Sequence, residues 1–153
     1  MKLSDFNLQP RGTSVHFDVY RAANSVCTSL GTFNIDLVLH EVPRLPIDQR
    51  LIDEAGILKE AIKNDFDALY AMIYTAYKWA AENQKWFEMF DLPTDLSYNT
   101  LSEIVTGGTI SIERDLTNKD FKYHSVVHVS QPWDEEHGLH FLRTDSRWER
   151  HDY

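Results

Sequence analysis

The chain has one cysteine, Cys27, in 153 residues. No intrachain disulfide is possible, and the composition suits a reducing compartment. Long apolar runs are missing as well. Nothing approaches the ~20 consecutive apolar residues of a membrane-spanning helix, and the opening MKLSDFNLQPRG lacks the apolar stretch of a secretory signal. The expectation is a soluble cytoplasmic protein with no membrane partner. Basic residues are outnumbered: 15 Lys and Arg stand against 24 Asp and Glu, a formal charge of −9. That excess repels phosphates and disfavours nucleic acid as a partner, while it suits a basic one. Reaction signatures are missing too. There is no phosphate-cradling glycine loop, no dinucleotide fingerprint and no nucleophile motif, and nothing beside Cys27 activates its thiol. No repeat, low-complexity segment or Gly/Ser linker divides residues 1–153, which read as a single domain.

What is present is a core-forming pattern. At 42% hydrophobic and 12% aromatic, the chain carries enough apolar surface to fold without a staple. Val15, Phe17 and Val19 alternate with polar neighbours, as do Phe33, Ile35, Leu37 and Leu39, the period of half-buried strands. Residues 22–31, AANSVCTSLG, read as a loop between them. After Pro46 the period changes. Leu51, Ala55, Leu58 and Ile62, then Phe66, Leu69, Ile73 and Tyr77, recur every three or four residues, which predicts two helices broken near Asn64–Asp65. Asp48 and Asp65 are the expected N-caps.

NTLSEIV predicts a short helix closed by Gly107–Gly108. Alternation then returns at Ile110 and Ile112, through Phe121 to Val129, and in LHFLR, with DLTNKD as a turn. The expected fold is α+β: a mostly antiparallel sheet of two N-terminal and three to four C-terminal strands, with the central helices packed on one face.

The chemistry concentrates in QPWDEEHGLHF. His124, His128, His137 and His140 lie near three adjacent acids. On a strand, however, His124 and His128 sit roughly 13 Å apart at ~3.3 Å per residue, too far to share a zinc whose ligands lie within ~2.1 Å. His137 and His140 could meet across a turn, with Glu135 or Asp134 as a third ligand. Asp134, Glu135 and Glu136 could raise one another's pKa, but water at a turn screens that effect. The expectation is no metal, no cofactor and no catalytic residue. Trp133 instead folds back on the core, His137 bonds within the turn, and Gly138 closes it at positive φ. The acids keep the hairpin end soluble and deter edge pairing.

The stretch PWDEEHGLHF resembles the signature of a group of bacterial domains of unknown function. Their last third runs a short helix, two strands, a W-D-E-E-H-G hairpin and a final strand. Trp133, Asp134, Glu135, Glu136, His137 and Gly138 carry the match, within a layout similar from Leu101 to Trp148. His140 and the charged RWERHDY depart from it.

Members of such groups often resemble immunity proteins, which neutralise a delivered toxin. The resemblance therefore implies a non-enzymatic protein-binding role whose partner is a cognate toxin domain. A basic nuclease is a suitable toxin for so acidic a chain. The contact surface would combine Asp134, Glu135 and Glu136 with aromatics of the central helix, Tyr74, Trp79 or Trp86. The competing readings are a small enzyme or metal-binding protein built on Asp134–His137, and a housekeeping module without a toxin partner.

Overall fold

The computed structural model describes residues 1–10, 17–40, 46–83, 85–114, 123–133 and 138–151, with backbone alone at His40, Trp86, Arg114, Tyr123 and His124. Eight strands form one sheet: β1 (Phe6–Leu8), β2 (Phe17–Ala22), β3 (Val26–Thr28), β4 (Gly31–His40), β5 (Gly107–Arg114), β6 (Tyr123–Val129), β7 (Leu139–Thr144) and β8 (Arg147–His151). Three helices, α1 (Gln49–Asn64), α2 (Phe66–Asn83) and α3 (Trp86–Met89), lie between β4 and β5, followed by a 3-10 turn at Tyr98–Glu103. The spatial order is β1-β2-β4-β5-β6-β7-β8, with β3 also pairing β4. The expected α+β class is the observed one. Every pairing is antiparallel except β4 with β5, which run parallel from Thr32↔Gly107 to Val38↔Glu113. Parallel neighbours need a long crossover, and the helical segment supplies it.

The helix-facing side of the sheet is the apolar one. Phe33, Ile35, Leu37, Ile110, Ile112, Val127 and Phe141 are fully buried there. Leu51, Ala55, Leu58 and Ile62 of α1 and Leu69, Ile73 and Tyr77 of α2 meet them in the same core, as their spacing predicts. The Asp48 side chain accepts from the Leu51 N–H at 3.0 Å and caps α1. Polar ties join the two layers. Ser125 of β6 donates to Glu54 of α1 at 3.0 Å, and Arg143 of β7 donates to Asp65 at 3.1 Å.

Several expectations are corrected. Residues 22–31 are not simply a loop. Val26–Thr28 pair with Gly31–Phe33 as a hairpin, so β2 and β3 lie along the same side of β4. Phe6–Leu8 adds an outer strand that its three residues were too short to announce. On β2 the inward set is Asp18, Tyr20 and Ala22, because Tyr20 pairs with Leu37 and Val19 with Val38. Alternation reveals a period, but a one-residue choice of register decides which set faces inward. Asp65 directly precedes α2, where a cap is expected, and it also ends α1, its N–H donating to the Ala61 carbonyl while its carboxylate meets Arg143. Gly107 and Gly108 open β5 rather than close the short helix. At Gly107, φ is +92°, and a Cβ there would collide with the backbone of Thr32, so glycine lets β4 and β5 pair at the start of the parallel ladder. DLTNKD lies outside the described residues.

The α2 tyrosines hold the return segment of the crossover. The Tyr70 hydroxyl donates to the Tyr98 carbonyl and Tyr74 to the Leu96 carbonyl at 3.3 Å. Tyr77 donates to the Pro93 carbonyl and accepts from the Leu96 N–H, both at 2.9 Å. Burial pushes the Tyr70 and Tyr77 hydroxyls above the ordinary phenol value, which keeps them protonated as donors. Tyr77→Phe leaves a buried N–H unpaired, and the expected loss is about 1–3 kcal/mol in urea unfolding.

Candidate functional site

Three surfaces bear on function. The first is the root of the Gln131–Gly138 loop. Trp133 is 3% exposed, with its ring 5.9 Å from Tyr77 and 6.0 Å from Phe87, centroid to centroid. Its N–H donates to the Gln131 side-chain carbonyl at 2.7 Å. Gly138 closes the loop at φ +74°, and a Cβ there would lie 2.8 Å from Nε2 of His140. Only glycine accepts both that backbone and that neighbour. Beside the root, Ile104, Thr106, Val129, Ser130, Gln131, Pro132 and Gly138 line an open cleft of about 490 Å³. Among the described residues, its lining carries no ionisable side chain. Asp134, Glu135, Glu136 and His137 lie outside the described residues.

The second surface is the end of the helical layer. Trp79 is 50% exposed, and Met89 and Phe90, at the end of α3, are 67% and 59% exposed. Neither Met89 nor Phe90 stood out in the sequence, because the α3 segment is too short for a period to show which face is buried. Exposed carboxylates, Glu82, Glu88 and Asp91, lie on the same stretch. The Arg150 guanidinium of β8 sits over the Trp79 ring, 5.9 Å from its centroid. Tyr74 is half-buried and bonded to Leu96, so it belongs mainly to the packing beneath. For Trp86, the structure places the backbone in α3 and does not describe the side chain.

The third surface is the sheet face turned away from the helices. Register aligns a row across five strands: Asn34↔Thr109, Thr109↔His128, His128↔His140 and His140↔His151. All five are half-buried. The His128 and His140 rings touch edge to face, with centroids 4.5 Å apart at 83°. One step along the sheet, Asp36 is 5% exposed and receives a bidentate pair from Arg21, both bonds at 2.8 Å. That fork satisfies the buried carboxylate and, by bonding Asp36, pushes Arg21 above its ordinary value. Burial pushes the His128 imidazole down to about 4; the adjacent His140 lowers it further, and Asp36 opposes them. The sequence placed His124 and His128 on a polar strand, and both do lie on β6. The cross-strand contact of His128 with His140 was not visible, because it depends on the register across the loop.

Among the described residues, no group of three His, Cys, Asp or Glu side chains converges on a common metal position, and no helix is long and apolar enough to cross a membrane. The chain matches no known protein family, no characterised protein and no solved structure.

Two measurements check this geometry. Trp133→Ala is expected to lose roughly 3–5 kcal/mol in urea unfolding, the usual cost of truncating a buried aromatic; a loss below about 1 kcal/mol would mean the ring is not packed as described. His128 governs an acid limb. Its folded value of about 4 lies below the unfolded value of ~6.5, so the unfolded state binds more protons between them. The His128 contribution is therefore fully present above pH ~6.5 and is lost as the pH drops toward 4. His128→Gln is expected to flatten that limb when urea midpoints are followed against pH.

Proposed function

We propose that this is a non-enzymatic protein-binding protein, an immunity protein that neutralises a bacterial toxin by direct complex formation. The observation that carries the reading is the exposed segment from Trp79 to Asp91. Trp79, Met89 and Phe90 present apolar surface to water, interleaved with the exposed Glu82, Glu88 and Asp91. Aromatic residues and Met are enriched in the buried centres of protein interfaces. Carboxylates outnumber the exposed Lys85 on this stretch, and on a chain of charge −9 they favour a basic partner and speed its approach.

Asp134, Glu135 and Glu136, which lie outside the described residues, are the further acidic contacts proposed from the sequence. In this reading α2 and α3 serve two purposes: their inner side fills the core, and their outer end meets the toxin. The inhibitor would act by covering the toxin's active site or the surface beside it. A complex of this kind usually buries about 1,200–2,000 Å² in total.

The test begins with a toxin domain encoded beside this chain. Expressed alone it should kill the host, and co-expression should rescue growth with a stable complex on a sizing column. Trp79→Ala combined with Phe90→Ala should weaken the complex by about 2 kcal/mol or more, the range of interface hot spots, while a single cooperative urea transition is retained. Reversing the charge of Glu135 and Glu136 should lower the on-rate, and added salt should lower it for the unaltered protein. Absence of both rescue and complex overturns the proposal.

A further inference from the structure

The sheet face opposite the helices holds a second arrangement, and it does not depend on the toxin reading. We propose that His128 and His140 form a cross-strand chelate for a borderline divalent transition metal of the Zn²⁺ or Cu²⁺ type, clamping the base of the Gln131–Gly138 loop. The two residues are direct partners on antiparallel strands. Side chains so placed have Cβ atoms about 4.5–5.5 Å apart. The rings already touch, with centroids 4.5 Å apart, so rotation about the ring torsions can aim one nitrogen of each at a single ion ~2.0–2.1 Å away.

The neighbours restrict the rings to this region. Gly138 has no Cβ where the Nε2–Cε1 edge of His140 lies. Any other residue at that position would collide with the ring edge, so the glycine at positive φ also accommodates the imidazole. His128 packs edge to face against the His140 ring.

The choice of ion follows from the donors. Imidazole suits zinc, copper and nickel, whereas magnesium and calcium require oxygen ligands. Two protein nitrogens leave positions for water or a third side chain. His151, opposite His140 on β8, is next in the row. Because no three donors converge among the described residues, the arrangement suits an exchangeable ion rather than a permanent structural zinc. The sequence argued against metal from the spacing of His124 and His128 along one strand. The pair that matters lies across two strands, joined by the loop the ion would clamp.

The test uses untagged full-length protein, dialysed against chelator and titrated with ZnCl₂, with CuCl₂ and with MgCl₂. Calorimetry should show one zinc per chain, tighter copper as the Irving–Williams order requires, and no magnesium. The urea midpoint should rise with zinc, since an ion that binds only the folded state stabilises it by mass action. His128→Gln and His140→Gln should each lose more affinity than the roughly 10–100-fold that removal of an outer-sphere partner costs.

In the unaltered protein, zinc should shift the ring-nitrogen resonances of His128 and His140, a readout that holds even if a variant folds poorly. Loss of binding in His151→Gln as well would support the chelate and extend it to a third strand. No zinc uptake, or uptake that survives both His128→Gln and His140→Gln, overturns the proposal.

Discussion

The parallel contact between β4 and β5 is the constraint on which the rest of the structure depends. Two parallel neighbours cannot be joined by a turn, so the chain must leave the sheet, cross one face and return. That requirement places α1, α2 and α3 between them in sequence. It also makes the face they cross apolar, with Ile35 and Leu37 of β4 beside Ile110 and Ile112 of β5. The ladder begins where Gly107 meets Thr32, a place with no room for a side chain. Tyr70, Tyr74 and Tyr77 then fix the returning segment by bonding its carbonyls. Trp133 packs on Tyr77 and Phe87, which seats the chain just after β6 on the crossover.

The two faces of the sheet are thereby committed to different chemistry. The covered face excludes water; Ser125 is matched there by Glu54, whereas the buried indole nitrogen of Trp148 has no hydrogen-bond partner among the described residues. The opposite face carries Arg21 with Asp36 and the histidine row. The outer end of the helical layer is left with aromatic and acidic surface in one stretch. The proposed partner contact at Trp79, Met89 and Phe90 and the proposed ion site at His128 and His140 use different residues, so each has its own mutations.

Much of the fold was legible because its strongest signals are local. The spacing of Leu51, Ala55, Leu58 and Ile62 announces α1, and Asp48 announces its start. The alternation of Phe33, Ile35 and Leu37 announces β4. Pairings are another matter. Nothing local distinguishes the parallel β4–β5 contact from an antiparallel one, and the inward face of β2 depends on register with β4. Short strands at Phe6–Leu8 and Val26–Thr28 have too few residues to show a period. The histidine contact was hidden for the same reason: His128 and His140 are twelve positions apart, and only the paired strands bring their rings together. The exposure of Trp79 follows from its place on the outward side of α2, whereas Phe90 required the end of α3 to be located.

The central functional claim is that partner recognition uses the outer end of the helical layer and not the sheet. Amide hydrogen exchange of the complex with the neighbouring toxin domain tests it most directly. Binding should slow exchange in Trp79–Asp91 and leave β6 and β7 at their free-state rates. Protection confined to β6 and β7, with Trp79–Asp91 unchanged, would contradict it.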